Sequence, residues 1–210
     1  MSLRVLIALA LILLASGLTA CRGAEGHGAP TGDEPEAAHA GHARTAPEAA
    51  PAALGSSLYA LGSTWTDQNG REVELEELAG RPRVVALLYT HCTFSCPRIM
   101  ARMKQLEARS AEEVGFVVVS LDPERDTPGR LAEFARTTHL DPDRWTLLTG
   151  PDARVREISV LLGVPYRTLP DGEVAHANVL TLLDEDGVIV DRVEGLDGDL
   201  EPLARRLEGG

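Results

Sequence analysis

Hydrophobic residues along this chain gather in short blocks that switch between strand-like and helical spacing. Residues 58–65 and 72–75 have β character and flank Asp67-Gln68-Asn69-Gly70-Arg71, a turn signal, so a β-hairpin opens the folded part. Residues 75–79 predict a single helical turn ending at Gly80. The strand predicted at 83–90 contains the unbroken apolar run Val84-Val85-Ala86-Leu87-Leu88, the pattern of a buried strand. From Pro97 to about Arg109, Ile99, Met100, Met103 and Leu106 recur at helical spacing, and Pro97 suits a first helical turn. Residues 115–121 read as a second buried strand rich in β-branched residues.

Thr127-Pro128 starts another helix, with Thr127 as its cap and Leu131, Phe134 and Ala135 facing inward. Residues 145–148 form a short strand. Residues 152–162 form a helix closed by Gly163, with Val155, Ile158 and Leu162 facing in. Residues 179–183 and 188–193 make a hairpin around Asp184-Glu185-Asp186-Gly187, and a last helix runs from about Asp199 to Leu207. This order predicts an α/β/α sandwich around a central mixed sheet, extended at its N-terminus by a β-hairpin. Trp65 and Trp145 are core or core-edge residues. No internal repeat, glycine-rich phosphate loop or Ser-His-Asp signature is present.

The first 57 residues do not fit that pattern. Residues 1–20 carry a basic start, an apolar stretch from Val5 to Leu14 and small residues before a break, which is a secretory signal too short to span a membrane stably. Leu18-Thr19-Ala20-Cys21 resembles the lipobox of bacterial lipoproteins. The resemblance implies cleavage before Cys21 and lipid attachment there, holding the chain to a bacterial membrane on its extracytoplasmic, periplasmic side. An ordinary signal peptide or an uncleaved anchor is the alternative. Residues 22–57 are rich in Ala, Gly, Pro, Glu and His and cannot bury enough surface to offset their ordering entropy. They read as a flexible tether reaching on the order of 100 Å. His27, His39 and His42 lie in it as polar filler, or as a loose metal catch at His39-Ala40-Gly41-His42. Residues 58–210 suffice for one domain with a real core.

The formal net charge is −12, and no basic patch interleaved with aromatics appears, which excludes nucleic acid as a partner class.

With Cys21 assigned to lipid, two of the three cysteines remain, in a compartment that permits disulfides. One pair in so large a domain is not a scaffold, so Cys92 and Cys96 form a functional pair. They lie in Thr90-His91-Cys92-Thr93-Phe94-Ser95-Cys96-Pro97, where a buried strand gives way to a helix. Unpaired N–H groups and the helix dipole there favour thiolate, which binds soft metals or attacks disulfides. Metal and disulfide chemistry both remain open at this point.

The strand and helix order, with cysteines after the first core strand, is similar to the thioredoxin fold. The Cys-x-x-x-Cys spacing and the block Ser120-Leu121-Asp122-Pro123-Glu124-Arg125-Asp126-Thr127-Pro128 resemble the SCO/SenC family of membrane-tethered, thioredoxin-like copper proteins. Trp145-Thr146-Leu147-Leu148-Thr149-Gly150 and His176 before Leu182-Leu183-Asp184-Glu185-Asp186-Gly187 extend the match. The resemblance implies copper, as Cu(I) or Cu(II), held by Cys92, Cys96 and His176. It also implies delivery to the copper-receiving (CuA) subunit of a terminal oxidase. Where many members carry Pro-Asp this chain has Thr93-Phe94-Ser95, and Ala175 and Ala177 flank the histidine in place of an acid and a serine. Phe94 covers the site as an apolar lid or fills the loop.

Several other readings stand beside this one. The same dithiol can act catalytically as a thiol–disulfide reductase that keeps a partner's cysteines reduced, and a peroxidase of peroxiredoxin type shares the fold but not its loop pattern. His176 read from position alone is an exposed loop histidine. His91, beside Cys92, is a weaker ligand candidate whose side chain packs or points away from the site, and His139 is a partner for a helix C-terminus. Residues 122–126 form a polar turn feeding a capped helix, or orient ligands or face a partner.

Overall fold

The computed structural model describes residues 46–208. Among the described residues, nine strands and four α-helices follow one another: β1 (Thr64–Asp67), β2 (Glu72–Glu74), β3 (Arg83–Leu88), α1 (Ser95–Glu107), β4 (Gly115–Ser120), α2 (Pro128–Thr137), β5 (Trp145–Thr149), α3 (Asp152–Leu161), β6 (Tyr166–Thr168), β7 (Val174–His176), β8 (Val179–Leu183), β9 (Ile189–Glu194) and α4 (Glu201–Glu208). Seven strands form one sheet in the order β2-β1-β5-β4-β3-β8-β9. Its centre, β3, β4 and β5, is parallel, while β1, β2, β8 and β9 join antiparallel, so the sheet is mixed as the sequence predicts. Every residue of β3 and β4 is buried, which is why both read as continuous apolar runs rather than alternating ones. α1 packs on β3 and against α4, and α2 lies over β5 and β1.

The opening hairpin is closed by Asp67, whose Oδ1 accepts from the N–H groups of Asn69 (2.8 Å) and Arg71 (2.9 Å), while Gly70 takes φ 79°. Its first strand is shorter than expected. Residues 59–61 form a 3-10 turn instead, because Leu58 and Tyr59 turn into the core, where Tyr59 Oη donates to the Leu78 carbonyl at 3.2 Å. Helix α1 starts two residues before Pro97, which puts Cys96 inside its first turn. Proline lacks only an N–H that the first turn does not use, so it does not mark the first helical residue.

Hydrogen bonding to the domain begins inside the stretch read as tether. Ala50 N–H donates to Gly163 O (3.0 Å), Ala53 N–H to Leu161 O (3.0 Å) and Gly55 N–H to Ile189 O (3.0 Å), and Ser57 bridges to Val188. Gly163 has φ 63°, and a Cβ there would strike the Ala50 carbonyl, so the crossing needs glycine. Cys21, His27, His39 and His42 lie outside the described residues.

A two-stranded sheet, β6–β7, stands apart from the main one and pairs Tyr166 with His176. The hydrophobic pattern predicts no strand at 166–168 or 174–176.

Candidate metal centre and its dithiol

β3 delivers the chain to Tyr89 and Thr90, and the loop His91–Phe94 leads into α1. Phe94, at the cap position, offers no side-chain acceptor to the first helical N–H groups. The sulfur of Cys92 takes that role, accepting from Cys96 N–H at 3.3 Å, with Ser95 Oγ at 3.5 Å. Both cysteines are free and buried. The hydrogen bond from the Cys96 thiol, aided by the Cys96 and Phe94 N–H groups and Ser95, holds the Cys92 thiol far below its ordinary pKa, against the opposing effect of burial. The same bond to Cys92, together with burial, pushes Cys96 up. The pair therefore rests as one thiolate and one thiol, with the negative charge on the sulfur at the helix end.

His176 ends β7 and is 2% exposed. Its Nε2 stands 3.7 Å from Cys96 Sγ, and its Nδ1 lies 3.0 Å from the Ala177 carbonyl. That carbonyl can only accept, which assigns the proton to Nδ1 and leaves the Nε2 lone pair facing sulfur. Burial lowers the pKa of His176, outweighing the bond to Ala177, so the ring is neutral and able to ligate.

Tyr89 fixes the β6–β7 hairpin over the dithiol. Its Oη donates to Glu173 Oε2 (2.7 Å) and accepts from Val174 N–H (3.3 Å), and its ring meets His176 edge-on at 6.1 Å. Burial and the bond to Glu173 raise its pKa beyond any physiological range, so it serves as a fixed hydroxyl. Nothing local in the sequence marks Glu173 for this role, and the one signal for Tyr89 is its place at the end of the apolar run.

The block at 122–126 holds the loop from the other side. Asp126, fully buried, accepts from Thr90 N–H (3.1 Å), Thr90 Oγ1 (2.6 Å) and Ser120 Oγ (2.6 Å). Asp122 receives the Arg125 guanidinium, which also reaches the Gly172 carbonyl at the hairpin turn. His91 turns toward this block, with Nε2 3.0 Å from Asp122 Oδ2. Thr127 caps α2 through Arg130 N–H at 3.3 Å. His139 follows the end of α2, and Trp65 and Trp145 are core residues at 1% exposure each.

The fold thus brings His176 to Cys96 and Cys96 to Cys92. Among the described residues, no three His, Cys, Asp or Glu side chains stand in metal-holding geometry. Two soft sulfurs and a neutral imidazole nonetheless form a coherent donor set for copper. A groove of about 540 Å³, bordered by Phe94, Glu173 and Asn178, leads to Cys92 and His176. Phe94 is 74% exposed, so it rims the groove rather than closing it.

A mixed sheet with four helices and a dithiol at the β3–α1 junction is a thioredoxin-like fold. Residues 59–209 match the SCO1/SenC family, and the chain belongs to it. A SCO1 protein homolog of Bacillus subtilis is 30% identical over 140 residues, covering 64% of this chain and 72% of that protein. The crystal structure of a SCO1/SenC family lipoprotein from Bacillus anthracis superposes with a TM-score of 0.64 at 27% identity, over 70% of this chain and 90% of that one. ScoI of Bradyrhizobium japonicum, solved with copper bound, gives 0.56 at 29% identity, over 69% and 94%.

Proposed function

We propose that this protein carries copper at Cys92, Cys96 and His176 and hands it to the copper-receiving subunit of a respiratory oxidase, serving assembly of its CuA centre. The observation that carries the reading is the 3.7 Å approach of His176 Nε2 to Cys96 Sγ, between residues 80 positions apart. A relative at 29% identity, solved with copper bound, supports copper as the cargo. The Cys92 thiolate is ready to bind, and Cys96 releases its proton to solvent as copper enters. Delivery is ligand exchange: donors on the partner displace His176, held by one hairpin, and then the two sulfurs. Lipid on Cys21 keeps the domain at an extracytoplasmic membrane face, in keeping with the lipoprotein from Bacillus anthracis.

Titration of the reduced protein with Cu(I) against a competing chelator tests this. Wild type retains one Cu(I) per chain, and Cys92→Ser/Cys96→Ser loses more than the roughly hundredfold in affinity that losing outer-shell partners can cost. Equal affinity would remove the assignment.

The unequal sharing of one proton between the sulfurs favours a second reading, disulfide reduction. The Cys92 thiolate attacks a partner disulfide and frees one partner thiolate. Cys96 then loses its proton and closes the Cys92–Cys96 bond, freeing the second, so two electrons pass to the partner. Reduction of a model disulfide by His176→Ala at the wild-type rate supports this route, and loss of that activity counts against it.

A further inference from the structure

Two grooves open onto the dithiol, and His176 lines only one of them. The other, of about 390 Å³, is lined by Cys92, Cys96, Met100, Lys104, Phe134 and His139 among others. Cys92 is the one residue common to both linings. Cys92 therefore faces both grooves, while Cys96 faces the second alone.

The second groove has a donor chemistry of its own. Cys96 and Met100 stand four residues apart on α1, so thiol and thioether share one helical face. Met100 is 5% exposed at the groove wall, while Met103, fully buried, does not line it. At the far side His139 adopts φ 53°, the only positive φ of any non-glycine among the described residues. Helices usually end at such a position with glycine. A histidine accepts that conformation here and sets an exposed imidazole in the groove lining. Lys104, the one formally charged residue of the lining, is occupied by the Thr138 carbonyl.

Thiolate, thioether and imidazole are together a donor set for a soft monovalent metal ion. We propose that this groove is a loading entrance for Cu(I), with His139 and Met100 as transient donors that pass the ion to Cys96 and Cys92, after which His176 closes the site from the opposite side. The ion stays Cu(I) throughout, and the Cys96 proton leaves to solvent. The proposal rests on the copper reading above and adds a route: the ion enters past Met100 and leaves past Phe94, so donor and recipient need not compete for one opening.

The test uses the full-length chain, reduced and free of oxygen. Leucine conserves the volume of Met100 and glycine accepts the φ of His139, so Met100→Leu/His139→Gly folds. Stopped-flow transfer of Cu(I) from a chelator complex should slow roughly tenfold in that variant, the low end of what losing a supporting metal contact costs, while equilibrium affinity stays at the wild-type value. A wild-type loading rate overturns the proposal. A second readout needs no loaded dithiol. In Cys92→Ser labelled at methionine methyls, Ag(I) should shift the Met100 resonance and leave Met103 unmoved. A Met100 signal that does not respond also overturns it. Failure of the wild-type chain to retain Cu(I) overturns the copper reading instead, and the Ag(I) titration separates the two.

Discussion

Proton sharing between two sulfurs sets the chemistry of individual residues at this site. Cys92 sits where a helix lacks a cap, and its sulfur accepts hydrogen bonds more strongly as thiolate than as thiol. Cys96 lies one step deeper and keeps its proton. An ordinary thiol, with a pKa near 8.5, gains about tenfold in alkylation rate per pH unit below that value. Cys92 is already ionised there, so its rate with iodoacetamide should stay nearly flat from pH 6 to 8, with Cys96 labelled far more slowly. Peptide mass spectrometry reads both, and a Cys92 rate climbing tenfold per unit would contradict the assignment. The cysteines were legible as a reactive pair from their spacing and junction, and His176 through family resemblance. Their supports were not: Tyr89 meets Glu173 across 84 residues and Asp126 meets Thr90 across 36, separations no local pattern encodes.

At the scale of elements, the long apolar strands and amphipathic helices lie close to where periodicity puts them, because each buries one continuous face or both. The β6–β7 hairpin escaped that logic. Its strands are three residues each, two of β6 are exposed, and the alternation of β7, with Val174 and His176 buried, is too short to stand out in the sequence. Its position is fixed instead by polar bonds, from Tyr89 to Glu173 and Val174 and from Arg125 to Gly172. Removing one of them should loosen the histidine without unfolding the domain. Tyr89→Phe is therefore expected to lower Cu(I) affinity about tenfold, as loss of a metal-supporting hydrogen bond does. Amide exchange at 174–176 should quicken while the central strands stay protected. Unchanged affinity would show that the hairpin holds His176 without the tyrosine.

Across the whole molecule, the sheet converts sequence distance into a site. β3 carries the sulfurs to one end of the domain, the 122–126 turn after β4 braces their loop, and β7 brings the imidazole from beyond the parallel core. Fold class was legible because strand and helix order alone restricts the architecture. The edge of the domain was less so: residues 50–57 are poor in large apolar side chains, and they are held by backbone bonds that composition does not reveal. Because the proposed donors come from separate elements, they meet only in the folded chain. X-ray absorption of the Cu(I)-loaded protein examines that set directly. Two sulfur scatterers and one nitrogen scatterer at copper, with the nitrogen lost in His176→Ala, are the predicted result. A two-sulfur spectrum unchanged by that substitution would contradict it.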